Sequence, residues 1–271
     1  MNAFETKVIN DKWKLIAFLL LLNTIYVFIP SSTFAKEVGS FFKILGRVDH
    51  LKANKQPAIA AKINGMAEQG DGVHTNEASR TQIHTIDNSD IFIAPKSKIV
   101  LDHHVFEGLP IKDNLVLEVW KGLIRGIVNI KPENKFYIKT FTVMGGVRGT
   151  DFYVLIGKNF TDVFVKDGHV YVQGYKTSRF SLIGRAHAGG EHSELGLEAV
   201  SQGALIGRGG TVIGPLQACR IIVGSPPAEV ISLPIEYFAR LERLMRDGLP
   251  DQMRESSNPK QLLEMIVPST P

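Results

Sequence analysis

The sequence predicts a mainly β protein that ends in a C-terminal amphipathic helix. Three observations carry that reading. From Phe41 onward, short runs of β-branched and aromatic residues alternate with polar ones. The turn dipeptides Asn64-Gly65, Asp71-Gly72, Asp87-Asn88 and Asp167-Gly168 punctuate those runs. Near the end, apolar residues recur at intervals of three and four, which is the period of a helix.

The chain has 271 residues, 44% hydrophobic and 21% charged, so it has the composition of a globular protein, neither disordered nor collagenous. Its formal net charge of +4 is small, and it stays small without residues 1–35, which contribute Lys7, Lys12 and Lys14 against Glu5 and Asp11. A nucleic-acid binder neutralises phosphates with clustered Lys and Arg. The sequence has no such cluster, so nucleic acid is not an expected partner. Cys219 is the only cysteine, which excludes an internal disulfide; lying between Leu216 and Ile221, it reads as a buried thiol.

Taken in order, residues 1–35 read as an address. Lys7, Lys12 and Lys14 precede an apolar run from Leu15 to Ile29 that Pro30 ends, and small residues follow at Thr33 and Ala35. This is the layout of a secretory signal peptide cleaved after Ala35. The run, about 15 residues, is shorter than the roughly 20 a spanning helix needs, with an uncleaved inner-membrane anchor as the alternative. Both place the rest of the chain outside the cytoplasm, in the periplasm or exported. No cysteine closely follows the run, so a lipidated N-terminal cysteine is excluded.

Residues 36–174 then read as a β domain. Thr81, Ile83 and Thr85 alternate with Gln82 and His84, and Leu115, Leu117 and Val119 with Val116, Glu118 and Trp120. Asp167-Gly168, set between Val163–Val165 and Val170–Val172, is expected to turn a hairpin, since both residues tolerate positive φ. Residues 175–225 form a Gly-rich β extension, with Gly189-Gly190 and 207–210 as turns and a strand over 217–223. Residues 226–271 are a helical tail. Ile235, Phe238, Leu241, Leu244, Met245 and Leu249 make its apolar face; Pro234 suits the first turn and Gly248-Leu249-Pro250 the stop. That face either caps the β domain or binds a partner. A second short helix is expected from Asn258, with Pro259 at its first position.

Three segments stand in a recognisable order. The first runs Gly70-Asp71-Gly72-Val73-His74-Thr75, then Ser79-Arg80 and Asp87-Asn88-Ser89. The second is Leu117–Arg125 with Gly122. The third is Val147-Arg148-Gly149-Thr150-Asp151-Phe152, followed by Thr161-Asp162-Val163 and Asp167-Gly168-His169-Val170-Tyr171-Val172. Together, over roughly residues 65–173, they resemble the FecR domain of periplasmic iron-transport signal transducers. The resemblance implies stacked short strands, like a β-solenoid or an irregular sandwich. It also makes Gly70, Asp71, Thr75, Ser79, Arg80, Val147, Arg148, Gly149, Thr150, Asp151, Phe152, Asp167 and Gly168 family-motif positions. Residues 141–146 depart from the family's Thr-Pro-x-Ala stretch, and Asn88 stands where it has Gly. Ahead of the apolar run lie only about 14 residues, too few for the folded anti-sigma region of such transducers, so sigma-regulating activity is not expected.

Signs of chemistry are few. His103-His104 would point to opposite faces of a strand, and His187, Glu191, His192 and Glu194 lie in a Gly-rich loop. Gly207-Arg208-Gly209-Gly210-Thr211 lacks the Lys of a phosphate-binding loop, and no Gly-x-Ser-x-Gly elbow occurs. No catalytic, metal or cofactor residue is assigned. The expected function is therefore non-enzymatic, in protein interaction or signalling with another envelope protein. The alternative is a module binding a glycan, peptidoglycan fragment or small solute, for which Trp120, across the strand from Leu117 and Val119, is the residue to examine.

Overall fold

A computed structural model describes residues 36–102, 115–129, 136–174 and 210–255, all within one compact unit that begins at Lys36. The N-terminal address, His103-His104, the Gly-rich stretch up to residue 209 and the helix expected from Asn258 lie outside the described residues. The chain is mainly β and carries its amphipathic helix near the C-terminus, as its periodicities predict.

Among the described residues, fifteen strands join in one open, mixed sheet that falls into two halves. One half contains β1 (Glu37–Leu45), β4 (Met66–Glu68), β6 (Arg80–Thr85), β7 (Asp90–Ile93), β14 (Gln217–Ile222) and β15 (Ile231–Ser232). The other contains β2 (Val48–Leu51), β3 (Ile59–Ala60), β5 (Gly72–Thr75), β8 (Lys98–Asp102), β10 (Phe136–Lys139) and β13 (Gly210–Ile213). Three long strands serve both: β9 (Leu115–Ile127), β11 (Val143–Ile156) and β12 (Phe160–Gly174). The first half of β9 pairs with β8 and β10, and its second half with β7 and β11. β12 pairs with β14 through its first half and with β13 through its second. Residues from both halves pack into a single apolar core, including Phe41, Ile83, Ile99, Leu117, Phe136 and Phe152, so the halves face each other as two layers.

A strand that contributes to both layers must change which residues face the core. In β9 the core residues shift from Leu117 and Val119 to Ile124; in β11 from Val143 and Val147 to Phe152 and Val154; in β12 from Val163 and Val165 to Val170 and Val172. Each shift moves the inward set by an odd number of residues, which a plain strand of period two cannot do. A glycine of positive φ sits at each: Gly122 (98°), Gly149 (57°) and Gly168 (83°). At Gly168 a Cβ would collide with the Gly149 carbonyl oxygen and Thr150.

The hairpin expected at Asp167-Gly168 is thus not formed. Val163–Val165 and Val170–Val172 belong to one strand, β12, and the positive φ of Gly168 bends the chain at a bulge without reversing it. The reversal into β12 comes earlier, where Gly157 N–H donates to Phe160 O (2.9 Å). The extension past residue 209 continues the sheet as β13 and β14, and Cys219 on β14 is buried, which pushes its thiol up to about 12.

Helix α1 (Ile235–Asp247) crosses the outer side of the first layer and is followed by the short α2 (Asp251–Glu255). Phe238, Leu241, Leu244 and Met245 are buried with Tyr237 against Leu123, Tyr153, Leu155 and Phe164, forming a second apolar cluster. Ile235 remains exposed. Gly248 (φ 90°) ends α1, its N–H donating to Leu244 O at 2.9 Å. No described helix is long and apolar enough to cross a membrane.

The glycine bends make a graded prediction. Gly168→Ala combines an unfavourable φ with a backbone collision and is expected to cost about 2–3 kcal/mol, lowering Tm by roughly 5–10 °C. Gly70→Ala has the same positive φ (84°), but the nearest atom to its Cβ is Ala53 Cα at 3.7 Å, so its expected cost is nearer about 1 kcal/mol. Thermal melts of both variants check the order.

Candidate functional site

Asp71, in the first motif segment, is buried at the start of β5. Four donors converge on its carboxylate: His50 Nε2 (2.6 Å), Lys52 Nζ (3.1 Å) and the backbone N–H groups of Ala53 (2.9 Å) and Glu68 (3.0 Å). Burial alone would raise this carboxyl, but the bonds from His50, Glu68, Ala53 and Lys52 outweigh it and hold Asp71 below the ordinary carboxylate range. Every one of these partners is a structural group of β2, the turn after it or β4. Asp71 therefore joins three segments of the chain and has no lone pair directed at solvent chemistry.

The neighbouring motif residues act in the same way. Thr75 Oγ1 donates to Ala94 O (2.6 Å) and accepts from Ser97 N–H (2.9 Å), joining β5 to the turn before β8. Ser79 Oγ accepts from Arg47 N–H at 2.9 Å and donates to Glu77 O at 2.9 Å. Asp87 closes its own turn, accepting from Ser89 N–H (3.1 Å) and from the Thr85 hydroxyl, with Asn88 at φ 62°. Thr150 Oγ1 donates to His169 O (2.9 Å) and accepts from His169 N–H (3.2 Å), pinning β11 to β12 beside the Gly149 and Gly168 bends. Val147 and Phe152 are core residues, and the Phe152 ring meets Phe136 edge-on at 6.1 Å between centroids. Arg148 and Asp167 flank the bend and are exposed.

Two motif residues reach α1. Arg80 Nη1 donates to Arg246 O (3.1 Å), on the last turn of the helix, where a cation meets the unpaired carbonyls. Asp151 accepts a bidentate bond from Arg125 Nε (2.8 Å) and Nη2 (2.7 Å). Arg125 Nη1 lies 3.6 Å from Glu242 Oε1 on α1, and Lys166 Nζ bonds the same oxygen at 2.9 Å. The Lys166 bond, with Lys166 and Arg125 as nearby cations, holds the Glu242 carboxyl below its ordinary value. The Arg125 guanidinium also lies over the rings of Tyr153 (5.2 Å) and Phe92 (5.7 Å). Arg125 and Glu242 also line a small, half-open cavity of about 230 Å³ together with Phe92, Ala239, Met245 and Arg246.

Sequence reading alone did not identify His50, Arg125, Lys166 and Glu242 as partners of motif residues; Arg125 and Asp151 are 26 positions apart and nothing local links them. Nor did it pair the motif-segment residue Asp162 with Arg220, whose bidentate bonds (2.7 and 2.6 Å) hold it in full burial beside Phe160. Burial pushes that carboxyl up, against the pull of Arg220. Trp120 is exposed on one layer's outer side with Lys98 Nζ 4.3 Å from its ring centroid. Among the described residues no group of His, Cys, Asp and Glu is placed to hold a metal ion.

Comparison with known proteins adds three findings. A family model described as FecR protein matches residues 71–171, which run from Asp71 through the bends of β11 and β12. Two crystal structures of an anti-sigma factor candidate from Parabacteroides distasonis ATCC 8503, at 2.50 and 1.65 Å, are similar over 62% of this chain at 11% identity and a TM-score of 0.42. The chain spans 62% and 63% of those two chains, less than two thirds of their length. No curated protein matches the sequence.

Removing the Asp71 charge tests its role as a joint. Asp71→Asn leaves His50 without its anionic acceptor and Lys52 with Glu68 alone (3.2 Å), and is expected to cost about 2–4 kcal/mol at pH 7. A carboxyl lowered in the folded state stabilises above its unfolded value, about 3.9, and loses that contribution as pH falls through the folded value. Urea titrations at pH 7 and pH 3 are therefore expected to show a wide gap between native chain and variant at pH 7 and a narrower one at pH 3.

Proposed function

We propose, from the match of residues 71–171 to the FecR protein family model, that the chain is an exported, non-catalytic envelope protein acting in signalling through contact with another protein. The observation that carries the reading is how the motif residues are used. Asp71, Thr75, Ser79, Asp87, Thr150 and Asp151 each direct their side-chain oxygens to partners within the fold. A motif consumed in this way builds a platform for faces and loops.

Export is supported by the chain's own order. A basic end, an apolar run and small residues at Thr33 and Ala35 precede Lys36, and the compact unit begins at Lys36. In the envelope such a unit serves as a receiver or relay whose partner is another envelope protein.

Two measurements check this. Intact-mass analysis of the protein recovered from the periplasmic fraction is expected to give a chain starting at Lys36; a chain still starting at Met1 in the membrane fraction would favour the anchor. In-cell crosslinking of the tagged, full-length protein, read by mass spectrometry, is expected to capture one envelope protein repeatedly. Absence of any captured protein would count against the interaction reading.

A further inference from the structure

The layer that contains β5 and β8 carries an exposed indole on its outer face. The alternation that sends Leu117 and Val119 of β9 to the core turns Glu118 and Trp120 outward, just before the bend at Gly122. Trp120 is 40% exposed even with Lys98 seated on its ring, the Nζ 4.3 Å from the centroid. Register places Lys121 opposite Lys98 across β8 and β9, at a bulge, and His74 of β5 on the other side of Lys98. One row across three strands thus holds His74, Lys98 and Trp120, with Lys121 beside it.

The cations of this corner are unmatched. Elsewhere on the layer each cation meets an acid: Arg47 meets Asp49 (3.1 Å), Lys52 meets Glu68 (3.2 Å) and Lys139 meets Glu118 (3.4 Å). In the turn before β8, Lys96 holds Glu77 at 2.6 Å. Lys98 and Lys121 have no acidic partner among the described residues. The remaining acid of this strand pair, Asp102, stands four residues from Lys98 along β8, opposite Val116. His74 is neutral at pH 7, because burial, and then the charge of Lys98, lower its pKa. Its Nε2 is shielded from water and makes no hydrogen bond, a cost that a ligand oxygen beside Lys98 would relieve.

Two kinds of recognition meet here. An exposed indole offers a flat apolar surface on which the C–H face of a sugar ring can stack. Lysine heads at its rim offer charge-assisted hydrogen bonds to a carboxylate. A Lys98–Trp120 pair serving the fold alone would leave Lys121 and the His74 nitrogen without a role. We infer that Trp120, Lys98, Lys121 and His74 form a binding site for an acidic polysaccharide, a polymer whose sugar rings carry carboxylates. One ring stacks on Trp120, and its carboxylate is held by Lys98 and Lys121. This is a second activity beside the protein contact proposed above and does not depend on it.

The test uses the exported chain, in which Trp120 is the only tryptophan once Trp13 has left with the leader. Its emission is followed during titration with polygalacturonate, alginate and hyaluronate, and with fully methyl-esterified polygalacturonate as the neutral match. At least one acidic polymer is expected to change the emission and to bind about tenfold more tightly than the neutral match, with the gap closing as salt is raised. By affinity electrophoresis in gels cast with that polymer, Trp120→Ala is expected to lose the retardation, and Lys98→Gln with Lys121→Gln to lose about tenfold or more. These side chains are exposed or half-exposed, so the melts are expected to stay close to the native one. Binding of none of the three acidic polymers, equal binding of the neutral match, or undiminished retardation of either variant would overturn the inference. Capture of a protein partner in cells is expected to persist in Trp120→Ala. Capture lost in that variant would make the indole part of the protein contact and overturn its assignment to a sugar; absence of capture by the native chain would count against the interaction reading alone.

Discussion

Everything in this fold depends on three strands being shared between two layers. A strand of period two can face a core with only one set of alternate residues. β9, β11 and β12 face the same core with both sets, one in each layer, and each must therefore slip by a residue midway. Gly122, Gly149 and Gly168 allow those slips because their φ angles lie where a Cβ would be strained. At the Gly149–Gly168 crossing, Thr150 supplies the hydrogen bonds that the bulge takes from the ladder. The most distinctive motif in the sequence, Val147 to Phe152, is thus the chemistry of a corner: core residues at both ends, a glycine bend, a hydroxyl to satisfy the backbone and an acid turned outward.

That outward acid connects the corner to the helix. Asp151 fixes the Arg125 guanidinium in a bidentate pair, and Arg125 lies against Tyr153 and Phe92 while facing Glu242. Apolar burial under Tyr237, Phe238, Leu241 and Leu244 supplies the main attraction of α1 for the sheet. The polar network contributes register more than strength, because Glu242 is partly exposed and its ion pairs are screened by water. The result is a helix held at one place on a face wider than itself.

What could be read in the sequence follows from range. The alternation in Arg80–Thr85 is local, and it marks a half-buried strand whose Thr81, Ile83 and Thr85 are buried while Gln82 and His84 are partly exposed. The helix was legible because its period is written in thirteen consecutive residues. Asp167-Gly168 was misread because positive φ serves a turn and a bulge equally well, and only the partner strand decides between them. Asp71 could be read as a turn residue but not as the acceptor for His50, since the ring arrives from another strand. Arg125, Lys166 and Glu242 were invisible as a group for the same reason: each is an ordinary charged residue until folding brings it near Asp151.

The separation between motif and surface bears on how such a domain carries function. Buried, mutually bonded residues such as Asp71, Thr75, Ser79 and Thr150 tolerate little change without loss of the fold. Exposed residues such as Phe42, Met66, Ile86 and Lys43 contribute little to holding the layers together, because much of their surface is already in water. They lie outside the motif, and all but Ile86 lie outside the matched segment as well. The matched segment therefore contains the buried, mutually bonded residues of the platform, while most of these exposed residues precede it.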